Sequence, residues 1–149
     1  MACQVPDALL KVLPEERSAR VRLNSDLAVL DDRRFFIRTV MDVPIAGSAE
    51  AFSWGVWVEL SEGDFSTYVK TSENNAAGIS CQGQLANSLP PYPGCLGLPV
   101  SVKPRAANLR PQIFPADSGS RLATHFSEGM PEDEAMQGLA FMVHMLSNQ

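Results

Sequence analysis

From Phe35 onward the chain alternates. Phe35, Ile37, Thr39, Met41 and Val43 fall on one side, and Arg38 and Asp42 on the other. After a short interval the parity reverses, so that Phe52, Trp54, Val56, Val58 and Leu60 share a side opposite Ser53, Gly55, Trp57 and Glu59. A period of two with one apolar side marks a half-buried β-strand. The linking residues Ala46 to Glu50 hold Gly47 and Ser48, which suits a hairpin loop of about five residues. The stretch from Arg33 to Leu60 is therefore predicted to be an antiparallel hairpin at the core of the fold. For the two apolar faces to coincide, odd positions of the first strand must pair with even positions of the second. The simplest register sets Val43 against Trp54, Met41 against Val56 and Thr39 against Val58. It also places Arg38 opposite Glu59 and Val40 opposite Trp57 on the outer face. Registers two residues away keep the same faces, and an opposite-charge cross-strand pair, worth about 0.2–1 kcal/mol, favours this one.

Weaker signals surround the hairpin. Pro6 or Asp7 can open a short helix with an apolar stripe of Ala8, Leu9, Val12 and Leu13, and Pro14 restarts the chain where its missing N–H costs nothing. Asn24-Ser25-Asp26 and Asp31-Asp32 read as turns, because Asx side chains bond their own backbone there. Leu27 to Leu30 reads as a short strand between them. Ser61, with Asp64 three residues on, starts a helix through Tyr68 and Val69, and Thr71 to Gly78 is a polar loop. Ile79 to Leu85, Pro99 to Arg105 and Gln112 to Phe114 are further strands, the first weakened by Gly83. Between them Leu89-Pro90-Pro91-Tyr92-Pro93-Gly94 forbids regular structure. A closing helix begins near Met130-Pro131, with Met136, Leu139, Ala140, Val143 and Leu146 as its packing stripe. About five short strands with helices at both ends predict an α+β fold, mainly an antiparallel sheet, as a single domain over residues 1–149.

Composition narrows the functional classes. Hydrophobic residues make up 45% and charged residues 19%, the balance of a folded globular chain. The net charge is −5, and up to Asn75 twelve acidic residues face eight basic ones. This argues against sequence-independent nucleic-acid binding, which rests on clustered Lys and Arg. No apolar run approaches the ~20 residues that span a bilayer, and no secretory leader stands at the start. Cys3, Cys81 and Cys95 are odd in number and share no C-x-x-C spacing, so neither a disulfide framework nor a zinc knuckle is signalled. A reducing compartment, the cytoplasm, is the expected location, without membrane or nucleic-acid partners.

Catalytic signals are sparse. His125 and His144 lie in separate segments, neither beside a Cys or carboxylate at ligand spacing. Cys95 sits in a Pro/Gly loop with no neighbouring cation or His to activate it. Ser61, Ser80 and Ser88 lack a nucleophile-elbow context, and no phosphate-cradling Gly-rich run is present. The expectation is a non-enzymatic domain with no cofactor and no metal site. Two features point to binding instead. Tyr92, at the tip of a rigid Pro/Gly loop, suits either a recognition element or a cover for a sheet edge. Arg38, Trp57 and Glu59 share the outer face of the hairpin, and Trp and Arg are enriched at binding hot spots. The competing reading is that a helix packs over that face and buries Trp57.

The strings DLAVLDDRRFFIRTVMDVPIAG (Asp26 to Gly47) and FSWGVWVELSEGDFSTY (Phe52 to Tyr68) resemble a bacterial family known only as domain of unknown function 2199. LANSLPPYPGCLGLPVSV (Leu85 to Val102) and NLRPQIFPAD (Asn108 to Asp117) resemble the same family in the same order. The resemblance implies no chemistry, since the family has no assigned activity. Many members carry an N-terminal C-x-x-C-G element suited to zinc, whereas this chain has only Cys3 there. Members also often show Asp-His-Pro-Leu where this chain runs Asp117-Ser118-Gly119-Ser120-Arg121-Leu122. Both departures argue against a metal site.

Size, acidity and the lack of a catalytic set lead to a protein-binding role, with Arg38, Trp57, Glu59 and Tyr92 as partner-binding residues. Its most concrete form is an immunity protein that occludes a cognate bacterial toxin, such as a nuclease whose basic surface an acidic inhibitor would meet. The rival is a small-ligand binder or enzyme using a pocket between the sheet and the Pro-rich loop, with Arg38, Tyr92 and Arg105 converging there. A degenerate zinc domain is a third alternative.

Overall fold

The computed structural model describes residues 2–73, 80–105 and 109–137. Its frame is a sheet of seven strands, β1 (Val21–Leu23), β2 (Leu27–Leu30), β3 (Arg34–Pro44), β4 (Ala51–Leu60), β5 (Cys81–Leu85), β6 (Pro99–Lys103) and β7 (Gln112–Pro115). Each strand lies antiparallel beside the next in sequence. The last then returns to β3 in parallel through Val40 and Gln112. That return closes β3 to β7 into a five-stranded barrel and leaves β1 and β2 as a flap continuing from one end of β3. Helices α1 (Asp7–Leu10) and α2 (Arg17–Arg20), joined through a 3-10 turn at Pro14–Glu16, precede the sheet. Helix α3 (Glu62–Glu73) follows β4, and α4 (Arg121–Glu128) follows β7. Residues 132–137 are helical, and the rest of the expected C-terminal stripe lies outside the described residues. The fold is α+β, with seven strands among the described residues where about five were expected.

The hairpin forms as the alternation dictates, but in a different register. Met41 faces Trp54, Thr39 faces Val56 and Val43 faces Phe52, two residues from the arrangement expected. Arg38 therefore lies opposite Trp57, Val40 opposite Gly55, and Glu59 opposite Phe36. In this register Glu59 meets a different cation. Glu59 is taken bidentately by Arg34, one step away on the diagonal, at 2.9 and 2.8 Å. The observed register also runs from Phe35–Leu60 to Pro44–Ala51 and so pairs β4 along its full length. The connection Ile45 to Glu50 is tightened by Ser48 N–H to the Ile45 carbonyl at 3.1 Å. At the other end of β3, Asp31 and Asp32 adopt φ of 55° and 51°, left-handed values that Asp tolerates better than most residues.

Burial divides the apolar residues in two. Ile37, Met41, Val43, Trp54, Val56, Val58, Val100, Val102 and Ile113 fill the barrel, and Leu122 and Met130 join them from the C-terminal elements. On the opposite side of the sheet, Phe36, Trp57, Ala28 and Leu30 pack under Leu9 and Val12 of the N-terminal segment. Both faces of β3 and β4 are thus covered. The chain's opening residues even add to the sheet, since Cys3 N–H donates to the Gly55 carbonyl at 2.7 Å. The sequence pattern did not reveal α4. Its start is set by Ser120, whose hydroxyl accepts from Ala123 N–H, and its end by Gly129 at φ +89°.

Gly83 allows β5 to approach β4. A Cβ at this position would sit 2.5 Å from Val58 Cγ1 and 2.8 Å from the Glu59 carbonyl oxygen. Gly83→Ala should therefore cost about 1–3 kcal/mol through overpacking, measured as a lowered urea midpoint at unchanged m-value.

Candidate binding cleft

The site begins with one amide. Asn87 follows β5 and is 1% exposed. Its Oδ1 accepts the Trp57 backbone N–H at 2.7 Å, and its Nδ2 donates to the Val5 carbonyl at 2.9 Å and to Asp7 Oδ1 at 3.1 Å. Asp7 Oδ2 accepts Ser88 N–H at 2.8 Å, while Asp7 N–H donates to the Ala86 carbonyl at 2.9 Å. These bonds lash α1 to the outer face of the sheet and stand it off from the Pro-rich loop.

The gap that results is a half-open cleft of about 400 Å³. Its floor is Phe36, Leu30, Leu85 and Ala86, one wall is Ala8, Lys11 and Val12, and the facing wall is Leu96 and Gly97 of the loop. Arg34, Glu59, Gln84, Arg20, Asp31 and Asp7 form the rim. Most of these charges are already engaged. Arg34 holds Glu59 and lies 5.4 Å over the Phe36 ring. Arg20 bonds Asp31 at 2.8 Å and Glu16 at 3.0 Å, and its guanidinium keeps the Asp31 carboxyl below the usual range. Among the described residues Lys11 enters neither an ion pair nor a side-chain hydrogen bond, so it is the cation of the cleft open to an incoming group. An apolar floor with a few oriented polar groups at its rim is the usual make-up of a binding site.

The sequence-predicted residues are scattered. Glu59 is at the rim, and Arg38 is on the same outer face but outside the cleft lining. Trp57 is 0% exposed, its indole N–H donating to the Cys3 carbonyl at 3.1 Å. It offers no surface to a partner because the N-terminal segment, including Leu9 of the short helix α1, packs over it. Tyr92 is 2% exposed and so is not an aromatic tip. It points inward because three successive tight turns, Leu89–Tyr92, Tyr92–Cys95 and Cys95–Leu98, curl the loop on itself. The cleft lies between α1 and the Pro-rich loop, and Arg38, Tyr92 and Arg105, expected to converge in a pocket between sheet and loop, do not line it. Sequence reasoning missed Lys11, Arg34 and Gln84; only the diagonal position of Arg34 relative to Glu59 could have signalled one of them.

The groups that could carry chemistry are tied into structure. Cys95 is buried, its Sγ accepting Leu89 N–H at 3.3 Å and donating to the Asn87 carbonyl at 3.5 Å, and burial pushes the thiol pKa up. Cys3 and Cys81 are half-buried, and burial is again the main cause of their raised pKa. The Tyr92 hydroxyl and His125 Nδ1 share a hydrogen bond at 2.8 Å, His125 Nε2 faces Glu134 at 3.5 Å, and Arg121 closes the chain on Glu134. This relay latches the Pro-rich loop to α4. Among the described residues no three His, Cys, Asp or Glu side chains gather as metal ligands would.

Asn87→Ala strands the Trp57 N–H in the interior and should cost about 1–3 kcal/mol for the orphaned donor alone, with faster hydrogen exchange at the Trp57 amide as its local signature. The relay makes a separate prediction about pH. Burial, opposed by Glu134 and reinforced by Arg121, holds the His125 pKa below its ordinary 6.5. The unfolded chain therefore takes up the proton first as pH falls below 6.5, so stability drops in that window and levels off once the folded pKa is passed. Comparing denaturation midpoints of the native chain and His125→Gln across that range should show a flatter profile for the variant.

Among the described residues no helix is long and apolar enough to cross a membrane. No curated protein and no solved structure matches the chain. A family model does: that of an uncharacterized protein conserved in bacteria, domain of unknown function 2199, over residues 1–130. The chain belongs to this family.

Proposed function

We propose that the protein is a non-enzymatic binding domain that seats a partner's side chain in the cleft between α1 and the Pro-rich loop. The observation that carries this reading is the cleft itself, an apolar floor ringed by fixed charges with Lys11 unengaged. Tyr92, His125 and Cys95, which do not line the cleft, are committed to internal bonds. In its most concrete form the domain is a cytoplasmic immunity protein and the partner a cognate toxin. The net charge of −5 supports this version, since an acidic surface speeds encounter with a basic nuclease and disfavours wrong partners. Glu59 at the rim is the partner-binding residue that this reading retains from the sequence.

A second reading is favoured by size. A volume of about 400 Å³ falls within the range of small-molecule sites, so a free organic ligand fits the same cleft. Gln84 is exposed and lines the cleft, and Gln84→Trp should close it without disturbing the core. Co-expressed with the product of the neighbouring gene, the native chain should co-purify with it and relieve its toxicity. Gln84→Trp should weaken that complex by about 2 kcal/mol, close to thirtyfold. Failure of the native chain to co-purify or protect would remove the immunity reading, and the small-ligand reading would then be tested by thermal shift of native chain against Gln84→Trp across a metabolite panel.

A further inference from the structure

Although the chain is acidic, arginines gather where β2 and β7 part company along the edge of β3. The first half of β3 pairs with β2 as far as Ile37, and Val40 pairs with β7. Arg38 stands between them, with its backbone N–H on the Asp26 carbonyl at 2.9 Å. Its guanidinium lies 6.0 Å over the ring of the buried Trp57. Arg110 reaches the same place from the approach to β7, its Nε donating to Asp26 Oδ1 at 2.9 Å. Arg105 is joined to it, with Nε on the Arg110 carbonyl at 2.7 Å. Arg110 thus holds Asp26, whose other oxygen accepts the Ser25 hydroxyl at 3.1 Å, while Arg105 is joined only to the Arg110 backbone. Arg38 is left over. Its side chain is half-buried, its Nε is sealed from solvent, and that Nε has no hydrogen-bond partner among the described residues.

We propose that this split in the sheet is an oxyanion site, with Arg38 as its principal ligand and a phosphate or carboxylate group as its occupant. A guanidinium has donors only, arranged as a planar fork that matches two oxygens of one anion. Trp57 beneath it and the strand edge on either side hold that fork in place, so little side-chain freedom is lost on binding. Asp26 feels the Arg38 charge without bonding it, since its oxygens are held by Arg110 and Ser25. An anion entering there meets the terminal N–H groups of the fork, and a shift of the whole side chain is needed to bring the sealed Nε–H to it as well. This site lies apart from the cleft, whose lining does not include Arg38, Arg105 or Arg110.

The test is a titration of the full chain with inorganic phosphate and, separately, with acetate, at constant ionic strength, read from backbone amide shifts. Saturable shifts centred on the amides of Asp26, Arg38 and Arg110 are expected. Arg38→Gln should weaken binding by at least about tenfold, and Arg38→Lys, which keeps the charge but not the fork, should recover only part of it. Arg17→Gln, at an exposed arginine of α2, and the cleft variant Gln84→Trp should leave it unchanged. Saturation by phosphate alone assigns a phosphoryl ligand, and saturation by acetate assigns a carboxylate. No saturable shift with either anion, or equal shifts in Arg38→Gln, overturns the proposal. Should Arg38→Gln fail to fold, Arg110→Gln serves in its place, since it removes one cation and frees Asp26 to neutralise Arg38.

Discussion

The buried amide of Asn87 is the constraint on which the outer half of the molecule depends. A backbone N–H in the interior must be paired, and Trp57 sits at the point of β4 where the neighbouring strand has ended. Asn87 substitutes for the missing strand with its Oδ1. Its Nδ2 group then has to be satisfied in turn, and the groups within reach are the Val5 carbonyl and the Asp7 carboxylate. One side chain thereby joins β4, the residue following β5, and the N-terminal segment. The placement of α1 follows from that junction, and the cleft follows from the placement of α1. Because such a network is costly when half-made, the position of the cleft wall is fixed as firmly as a piece of core.

The barrel shapes the other surface. Closing β7 onto β3 removes the edges that an open sheet would expose, yet the closure rests on a short parallel contact at Val40 and Gln112. Beyond it β3 passes to another partner, β2. A strand that changes partners part-way leaves a place where two neighbours diverge, and side chains there answer to neither. Arg38 occupies that place. The two binding surfaces thus arise from different causes, one from a segment laid across the sheet and the other from a parting within it.

The hairpin was legible in the sequence because alternation over ten residues per strand leaves little freedom about which face is buried. The register was not, because a two-residue slip preserves every face and the decision then falls to weak terms. A cross-strand charge pair does form on Glu59, but with a different arginine from the one directly opposite in the expected register. Arg34 reaches Glu59 along the diagonal, which a strictly opposite pairing does not consider. The short strand at Leu27–Leu30 and the strands at Cys81–Leu85 and Pro99–Lys103 were visible for the same reason as the hairpin. The three-residue β1 and the helix at Arg121–Glu128 were too short for their periodicity to register. Of the site, only Glu59 was legible. Trp57 and Tyr92 looked like surface anchors, since a sequence shows which face a residue takes but not what distant segment will cover it. The covering segment is fixed through Asn87, a pairing across 82 residues that no local pattern announces.

That separation has a consequence for how the chain is made. Val5 and Asp7 are synthesised long before Asn87, and at about 5–20 residues per second the interval is on the order of four to sixteen seconds. Helix α1 is a single turn, too short to hold its shape alone, so the N-terminal segment has no fixed place to go during that time. The β3–β4 ribbon emerges within it. Vectorial synthesis thus completes the ribbon with only the Cys3 contacts to Gly55 and Trp57 available to the N-terminal segment, and leaves the ties at Val5 and Asp7 waiting for Asn87. The residue that fixes the cleft in the finished fold is thus also the one that its wall must wait for during synthesis.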